Sequence, residues 1–136
     1  MADYYVDTSV WRDLHENRKD NFRPLGEWAF EFFKKARENG EIIFFSDLVR
    51  EELLRYFEED EVIKLFNSAD NNLKKLEVTK SIIDKARIWH HERKVPFGDC
   101  IHAALAESSN AILVTRDKHF YESQDFMIIK KPEELI

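Results

Sequence analysis

YYVDTS, residues 4–9, places three apolar residues directly before the acidic residue Asp7. A short apolar run without alternating polar residues is typical of a parallel strand that is covered on both faces. Three similar runs follow along the chain, at residues 42–45, 111–114 and 126–129. A further short run at residues 76–78 could add a fifth strand. Because helical patterns lie between these runs, we expect an α/β sandwich with a central parallel sheet flanked by helices.

The predicted helices have recognisable starts and stops. One apolar stripe begins at Leu25, directly after Pro24, and ends before Gly40, and Ser46 could cap the helix that follows. Further helices are predicted over residues 61–76, 80–93 and 99–108. Since no internal repeat and no flexible linker interrupts this alternation, residues 1–136 are expected to form a single domain.

Composition narrows the range of functions. The formal net charge is −6, and the single cysteine, Cys100, has no second cysteine with which to form an internal disulfide. No apolar run approaches the roughly 20 residues of a membrane span, so we expect a cytoplasmic protein without a membrane partner. The glycine-rich loops of nucleotide-binding proteins and the GxSxG turn of serine hydrolases are absent from the sequence. Metal-assisted chemistry is the main enzymatic class that remains.

Four acidic residues lie where predicted strands and helices begin or end. They are Asp7, Glu52, Asp99 and Asp117. In an open parallel sheet, ligands gather at the carboxyl ends of the strands near the point where strand order reverses, and Asp7 and Asp117 follow predicted strands. Carboxylates that are packed together repel one another, so four in one pocket are best explained by bound cations. Oxygen ligands favour Mg²⁺ or Mn²⁺ over Zn²⁺.

Each of these acids, taken alone, also has a structural explanation. Asp7 and Asp99 could cap the helices that follow them, because aspartate is among the best capping residues. Asp117 could simply form a turn after a strand. Their joint placement raises the probability of a shared site.

The surroundings of Glu52 and His102 are harder to predict. Glu52 lies at the margin of an apolar helix face, where it is either a metal ligand or the partner of an arginine such as Arg50 or Arg87. His102 follows Asp99 by one helical turn and could approach the pocket, but an exposed position on the helix is the expectation. No histidine has a zinc-type spacing with cysteine.

Polar residues beside the acids could support a metal site. Thr8, Ser9 and Thr115 offer hydroxyl groups that would orient carboxylates or a metal-bound water, although each could also serve as a cap or turn former. Arg116 supplies a positive charge next to Asp117. We therefore treat these four residues as candidates for supporting the ligands or contacting a substrate.

Four segments together resemble the PIN domain family, in particular its small stand-alone prokaryotic members of the VapC toxin type. They are YVDTSV at 5–10, LVREEL at 48–53, FGDCIHAALA at 97–106 and LVTRDKHF at 113–120. Their order and spacing match over nearly the whole chain, although the family often has asparagine where Ser9 stands here. The resemblance implies a sheet of order 3-2-1-4-5 and a Mg²⁺- or Mn²⁺-dependent endoribonuclease. The implied metal ligands are Asp7, Glu52, Asp99 and Asp117.

The resemblance also implies partners. It predicts an RNA substrate, a cognate antitoxin protein and a homodimer. Self-association is favoured independently by the many apolar and aromatic side chains that one short sheet cannot cover. These side chains include Trp11, Phe22, Phe57 and Phe66.

Two other functions fit part of the pattern. The first is a non-catalytic interaction module whose acidic pocket binds a basic peptide of a partner. The second is a phosphoacceptor receiver domain, which also uses strand-end aspartates and magnesium. A receiver domain is expected to have an adjacent acidic pair after its first strand, and Asp7-Thr8-Ser9 lacks it. The metal-dependent nuclease is therefore the main prediction.

Overall fold

The fold is described from a computed structural model, which covers residues 2–19, 22–69, 72–123 and 127–136. The strands are β1 (Tyr4–Val6), β2 (Ile43–Ser46), β3 (Leu73–Leu76), β4 (Ile112–Val114) and β5 (Ile129–Lys130). The α-helices are α1 (Thr8–Glu16), α2 (Leu25–Glu38), α3 (Asp47–Leu53), α4 (Glu59–Asn67), α5 (Lys80–Arg93) and α6 (Phe97–Ser108). Two 3-10 helices follow β4 and β5, at Lys118–Ser123 and Pro132–Glu134.

All five strands pair in parallel, in the order β3-β2-β1-β4-β5. The predicted sheet and its order 3-2-1-4-5 are thus confirmed. Strand β1 is central, with Tyr4 opposite Ile43 on one side and Ile112 on the other. Right-handed crossovers place α1 to α4 on one face of the sheet and α5 with α6 on the other. The direction of winding reverses between β1 and β4, which is where such sheets form ligand sites.

The core is built around β1 and the first helix. Tyr5 and Val6 have no exposed surface, and neither does Trp11 of α1. The Trp11 indole nitrogen donates a hydrogen bond to the Val6 carbonyl at 3.2 Å, and its ring packs edge-on against Phe66. Trp11 therefore anchors α1 to the sheet. The sequence had suggested that Trp11 belongs to a surface for self-association, but its burial contradicts this. Phe22, by contrast, is fully exposed.

The structure corrects the predicted elements between residues 61 and 78. The helix predicted over residues 61–76 ends at Asn67, and the strand predicted at residues 76–78 instead occupies Leu73–Leu76. The sequence LKKL at residues 73–76 was predicted to form the end of that helix. Its two lysines are exposed at the edge of the sheet, where charged side chains discourage pairing with another chain. In the last predicted strand, Phe126 lies outside the described residues, and β5 begins at Ile129.

Side-chain caps fix the helices next to the carboxyl edge of the sheet. As predicted, Asp7 caps α1 by accepting a hydrogen bond from the Ser9 backbone, and Ser46 caps α3 by accepting one from Val49. The prediction that Asp99 caps its helix is wrong, because α6 begins two residues earlier, at Phe97. Asp99 therefore lies in the first turn, and no capping bond occupies its carboxylate. Among the described helices, none has the length and apolar composition to cross a bilayer.

Candidate metal centre

Asp7 stands at the end of β1 with one carboxylate oxygen firmly held. Its Oδ2 accepts hydrogen bonds from Ser9 Oγ at 2.8 Å and from Thr115 Oγ1 at 3.0 Å. Thr115 directly follows β4, so this bond joins the ends of the two strands at the point where winding reverses. Only 5% of Asp7 is exposed. These two hydrogen bonds fix the orientation of the carboxylate. Because both go to Oδ2, Oδ1 is the oxygen better placed to bind another group.

Glu52 reaches the same edge from α3. Its Oε1 accepts two hydrogen bonds of 2.6 Å, from Thr8 Oγ1 and from His102 Nε2. The expectation that an arginine would neutralise Glu52 in an ion pair is not met by Arg50, which pairs with Glu59. Burial raises the pKa of Glu52. The hydrogen bond and charge of His102 and the hydrogen bond from Thr8 lower it by more, so the pKa lies below its ordinary value. Glu52 is therefore an ionised carboxylate with one oxygen occupied.

His102 is fully buried, which contradicts the expected exposed position. Its Nε2 donates to Glu52, because an ionised carboxylate can only accept. On the other side of the ring, Nδ1 lies 2.7 Å from the Tyr5 hydroxyl, which lies 2.7 Å from Ser46 Oγ. Burial lowers the pKa of His102, but the hydrogen bond to Glu52 and the negative charges of Asp7, Glu52 and Asp99 raise it by more. The ring thus connects the core of the sheet to the acidic site.

The geometry favours His102 as a support for Glu52 over a metal ligand. Asp7, Glu52 and His102 lie close enough to form a group that could hold an ion. However, two neighbouring ligands about 2.1 Å from one octahedral ion are about 3 Å apart. The Nε2 to Oε1 separation of 2.6 Å is shorter and is that of a charge-assisted hydrogen bond. The imidazole therefore orients the Glu52 carboxylate so that Oε2 remains for a cation.

Asp99, Asp117 and His119 form the second half of the acidic site. The Nδ1 atom of His119 lies 3.2 Å from Asp117 Oδ1 and 3.6 Å from Asp99 Oδ2. The Asp117 backbone N–H donates to Thr115 Oγ1 at 3.0 Å, and Asp117 Oδ1 accepts from the His119 backbone at 3.0 Å. The predicted turn is therefore present, and it brings Asp117 towards Asp99.

The electrostatics of Asp99 indicate a site that lacks positive charge. Burial, followed by the negative charges of Asp117 and Asp7, raises the pKa of Asp99 to about 6. Burial and the neighbouring carboxylates thus oppose the ionisation of Asp99. A divalent cation bound among them would remove that repulsion, and their oxygen atoms are the ligands that Mg²⁺ and Mn²⁺ prefer. The residues present therefore fit such an ion.

The four predicted supporting residues do not all behave alike. The hydroxyl groups of Thr8, Ser9 and Thr115 each donate to a carboxylate of the site. Arg116 reaches the site only through its backbone, whose N–H donates to Ser9 Oγ at 3.3 Å. Its guanidinium binds Asp13 and Glu133 instead. Three candidates therefore hold the Asp7 and Glu52 carboxylates in place, whereas the Arg116 side chain lines a neighbouring cavity.

Sequence reasoning favoured an exposed position for His102 and did not single out His119. His102 follows Asp99 by three residues on α6, so both lie on the same side of that helix. His119 follows Asp117 by two residues in a tight turn. This spacing was the available signal, but the polar partners of His102 are distant in sequence and could not be identified from it.

Comparisons with known proteins give one consistent result. The sequence model of the PIN domain matches residues 4–124. DNA-bound VapBC from Salmonella typhimurium contains a chain of similar structure, with a TM-score of 0.71, 16% identity, and coverage of 97% of this chain and 99% of that one. VapC20 from Mycobacterium tuberculosis, a toxin that cleaves the sarcin-ricin loop, has a TM-score of 0.67 at 20% identity, with 88% and 94% covered.

A third similar structure is VapBC2 from Rickettsia felis bound to a DNA fragment from its promoter. Its TM-score is 0.69 at 14% identity, and the alignment covers 94% of this chain and 97% of that one. No curated protein sequence matches the chain at a significant level. At these identities, the solved structures establish the fold, while the sequence match covers most of the chain.

Proposed function

Because this chain belongs to the PIN domain family, we propose that it is a divalent-metal-dependent endoribonuclease and the toxin of a toxin–antitoxin pair. The observation that carries the proposal is the gathering of Asp7, Glu52, Asp99 and Asp117 at the carboxyl edge of the sheet, where the pKa of Asp99 is raised to about 6. Burial of a carboxylate next to other negative charges is unfavourable to the fold and is explained by a requirement for a cation. Mg²⁺ or Mn²⁺ is the proposed ion.

Each acid has a proposed role. Asp7 and Asp99 are the principal ligands, since Asp7 Oδ1 is left with few partners and no cap occupies Asp99. Glu52 completes the site or orients a water through Oε2, while His102 and Thr8 hold its other oxygen. Asp117 holds a second ion or the water network. When bound, a divalent ion lowers the pKa of water and offsets charge on the leaving oxygen.

An antitoxin partner is supported by the similar structures, which include a toxin–antitoxin complex from Klebsiella pneumoniae. A basic segment of such a partner would complement the acidic site. An apolar cavity of about 400 Å³ between α1, α2 and α4 offers a second contact, with Phe33 and Leu65 in its wall and Phe30 55% exposed beside them. Lys34 and Arg37 also line this cavity. We propose that an antitoxin helix with apolar and acidic residues packs there.

A homodimer is also proposed. Several large apolar side chains are more than two-fifths exposed, and an interface would remove them from water. They include Tyr56, Ile63, Ile88 and Ile128. Sedimentation velocity across a range of protein concentrations tests this assembly, and a constant monomer mass at high concentration would refute it.

The function is tested by RNA cleavage. Purified wild type and an identically purified Asp7→Asn variant are incubated with a panel of structured RNAs, including a sarcin-ricin-type hairpin, a transfer RNA and a messenger RNA fragment. Each reaction is run with Mn²⁺, with Mg²⁺ and with chelator. Cleavage is expected from wild type in either metal and from neither protein in chelator. The variant controls for contaminating nucleases, since it undergoes the same purification.

The outcomes separate the main hypothesis from its rival. If both proteins are inert although Mn²⁺ raises the Tm of wild type alone, the metal site stands and the substrate is outside the panel. If Mn²⁺ changes neither cleavage nor Tm, the nuclease hypothesis is refuted. The interaction module with a basic partner peptide would then be the better account of the acidic site.

A further inference from the structure

His119 lies beside two of the four acids, and the proposed function gives it no role. Its Nδ1 atom is 3.2 Å from Asp117 Oδ1 and 3.6 Å from Asp99 Oδ2. These three residues, which we call the His119 group, have ligand atoms close enough together to hold one ion. A separate group of the same kind contains His102. The acidic site therefore contains two groups that each combine carboxylates with a histidine.

The spacing of the His119 group is that of metal ligands. Two ligands 2.1 Å from one ion are about 3.0 Å apart at a right angle and about 3.4 Å apart at a tetrahedral angle. The separations of 3.2 and 3.6 Å from His119 Nδ1 lie in or close to that range. A charge-assisted hydrogen bond would be shorter, at about 2.7–2.9 Å. The 2.6 Å contact of His102 with Glu52 is such a bond, so the two histidines have different roles.

The turn after β4 fixes where His119 lies. Asp117 Oδ1 accepts a hydrogen bond from the His119 backbone at 3.0 Å, and the Asp117 carbonyl accepts one from Phe120 at 3.2 Å. Phe120 is buried in the core. His119 thus stands between a bonded aspartate and an anchored aromatic ring, while half of its side chain remains exposed. The imidazole can therefore make the small adjustment that binding an ion requires.

The charges of the His119 group match one divalent ion. Asp99 and Asp117 carry one negative charge each when ionised, and a neutral imidazole adds none. Asp7 and Glu52, outside this group, likewise carry one negative charge each when ionised. Two divalent ions would therefore neutralise all four acids. A single ion would leave two negative charges uncompensated in a partly buried pocket, which is costly.

The nitrogen donor of His119 changes which ion this group prefers. Mg²⁺ takes oxygen ligands and keeps several of its waters. Imidazole is a better ligand for transition-metal ions than for Mg²⁺. An imidazole in place of a water therefore raises the affinity for a transition-metal ion relative to that for Mg²⁺. Because the two other ligands are carboxylates, which suit Mn²⁺ as well as Mg²⁺, the set as a whole favours Mn²⁺.

We propose that Asp99, Asp117 and Nδ1 of His119 form a second cation position, which takes Mn²⁺ in preference to Mg²⁺. Asp7 and Glu52 remain for the first position. This inference rests on the proposed metal-dependent function, and it specifies the ion and one additional ligand. The structural alternative is that His119 serves only as a positive counter-charge to the two carboxylates.

Pulsed electron paramagnetic resonance identifies the ligand. Metal-stripped wild type receives substoichiometric Mn²⁺ together with one equivalent of Mg²⁺, so that Mg²⁺ can fill the position without a nitrogen ligand. Electron spin echo envelope modulation then detects nitrogen bound directly to Mn²⁺. The test variants are His119→Ala and His119→Asn, since asparagine places an oxygen at the same point along the side chain as Nδ1. The matched control is His91→Ala, which removes another exposed histidine, on α5.

The spectra are expected to separate the variants from the control. Nitrogen modulation is present in wild type and in His91→Ala, and it is absent from both His119 variants. A histidine that only supplies a counter-charge would not produce this signal in any of the four proteins. The Tm of each metal-free protein is measured to show that the fold is retained.

Affinity is measured by isothermal titration calorimetry with each ion. Wild type and His91→Ala bind two Mn²⁺ ions per chain. His119→Ala weakens one of these sites about 100-fold, at the upper end of the losses caused by residues that only support ligands, but weakens Mg²⁺ binding less than about tenfold. His119→Asn binds the two ions with similar affinity, because its replacement ligand is an oxygen.

Several results would overturn the proposal. They are nitrogen modulation that persists in His119→Ala, equal losses of Mn²⁺ and Mg²⁺ affinity in that variant, and a single Mn²⁺ per chain in wild type. A metal-free His119→Ala with a lower Tm and unchanged Mn²⁺ affinity would establish the counter-charge instead.

RNA cleavage decides the ribonuclease function separately. Wild type that cleaves RNA with Mn²⁺ but shows no nitrogen modulation would keep the function and exclude His119 as a ligand. The absence of both cleavage and saturable Mn²⁺ binding would exclude both.

Discussion

Replacement of Asp99 by asparagine is expected to stabilise the metal-free protein while it removes a proposed metal ligand. Asp99 is held among Asp117 and Asp7, and burial together with these charges raises its pKa to about 6. Asparagine has nearly the same shape and no charge. The variant therefore loses the cost of burying a charge and the repulsion from Asp117 and Asp7, and it keeps the packing of α6. Removal of a binding residue that makes the protein more stable is what a preorganised cation site predicts.

The magnitude follows from the pKa shift. The ordinary pKa of an aspartate is 3.8, and one pKa unit corresponds to 1.36 kcal/mol, so a pKa of about 6 implies about 3 kcal/mol of destabilisation above pH 6. The Asp99 side chain is only 17% exposed, so solvent screening removes little of this. For a chain of this length, 3 kcal/mol corresponds to about 10 °C in Tm.

The sign of the pH dependence gives a second check. Below the unfolded pKa, Asp99 is protonated in both the folded and the unfolded state and costs nothing. As pH rises from about 4 to about 6, the unfolded state loses this proton first, and the folded state is progressively disfavoured. The advantage of Asp99→Asn is therefore largest at pH 7.5 and falls to about 1 kcal/mol at pH 4.5.

Urea unfolding in chelator measures the free energy of unfolding of wild type and Asp99→Asn at both pH values. Asp84→Asn is the matched control, because Asp84 is exposed on α5 and the same charge is removed. Saturating Mn²⁺ should close or reverse the difference between wild type and Asp99→Asn, since the ion neutralises wild type and binds the variant poorly. A variant no more stable than wild type at pH 7.5, or an advantage independent of pH, would refute the electrostatic reasoning.

Three further substitutions test the surrounding network. His102→Ala frees Glu52 and is expected to weaken Mn²⁺ binding about 10–100-fold by isothermal titration calorimetry, and unchanged affinity would exclude its supporting role. Tyr5→Phe removes the partner of His102 Nδ1 and should cost about 1 kcal/mol in urea unfolding, with a smaller loss of Mn²⁺ affinity than His102→Ala. Arg116→Met leaves Asp13 with Arg18 as its remaining cationic partner and should cost about 3 kcal/mol by the same assay, whereas a loss below 1 kcal/mol would mean that Arg18 suffices.

Short sequence patterns predicted those strands and helices whose formation depends on neighbouring residues in the chain. The apolar run ending at Asp7 is β1, because a strand buried on both faces requires such a run. Helix α5 begins after Thr79, whose side chain accepts from Ile82, and it spans the predicted residues 80–93. Parallel topology then follows from the alternation of these elements. The acids could be located for the same reason, since each lies at or near the end of a strand or the first turn of a helix.

The failures concern residues whose state depends on distant neighbours. LKKL at Leu73–Leu76 becomes a strand because β2 offers it an edge, and no local pattern contains that information. His102 is surrounded in sequence by residues of an ordinary amphipathic helix, so an exposed position was the reasonable expectation. Its burial is made favourable by Tyr5 and Glu52, which lie 97 and 50 residues away. A buried imidazole without those partners would be costly.

The network around His102 also explains how the acidic site is held in a fixed position relative to the sheet. Ser46 ends β2 and caps α3, the helix that carries Glu52. The same hydroxyl lies 2.7 Å from Tyr5 of β1, and Tyr5 contacts the ring that donates to Glu52. Glu52 is thus positioned twice, through the backbone of its helix and through a buried chain of side chains. A shift of β1 against β2 would disturb both routes together, so the pairing of the central strands sets the distance between the carboxylates.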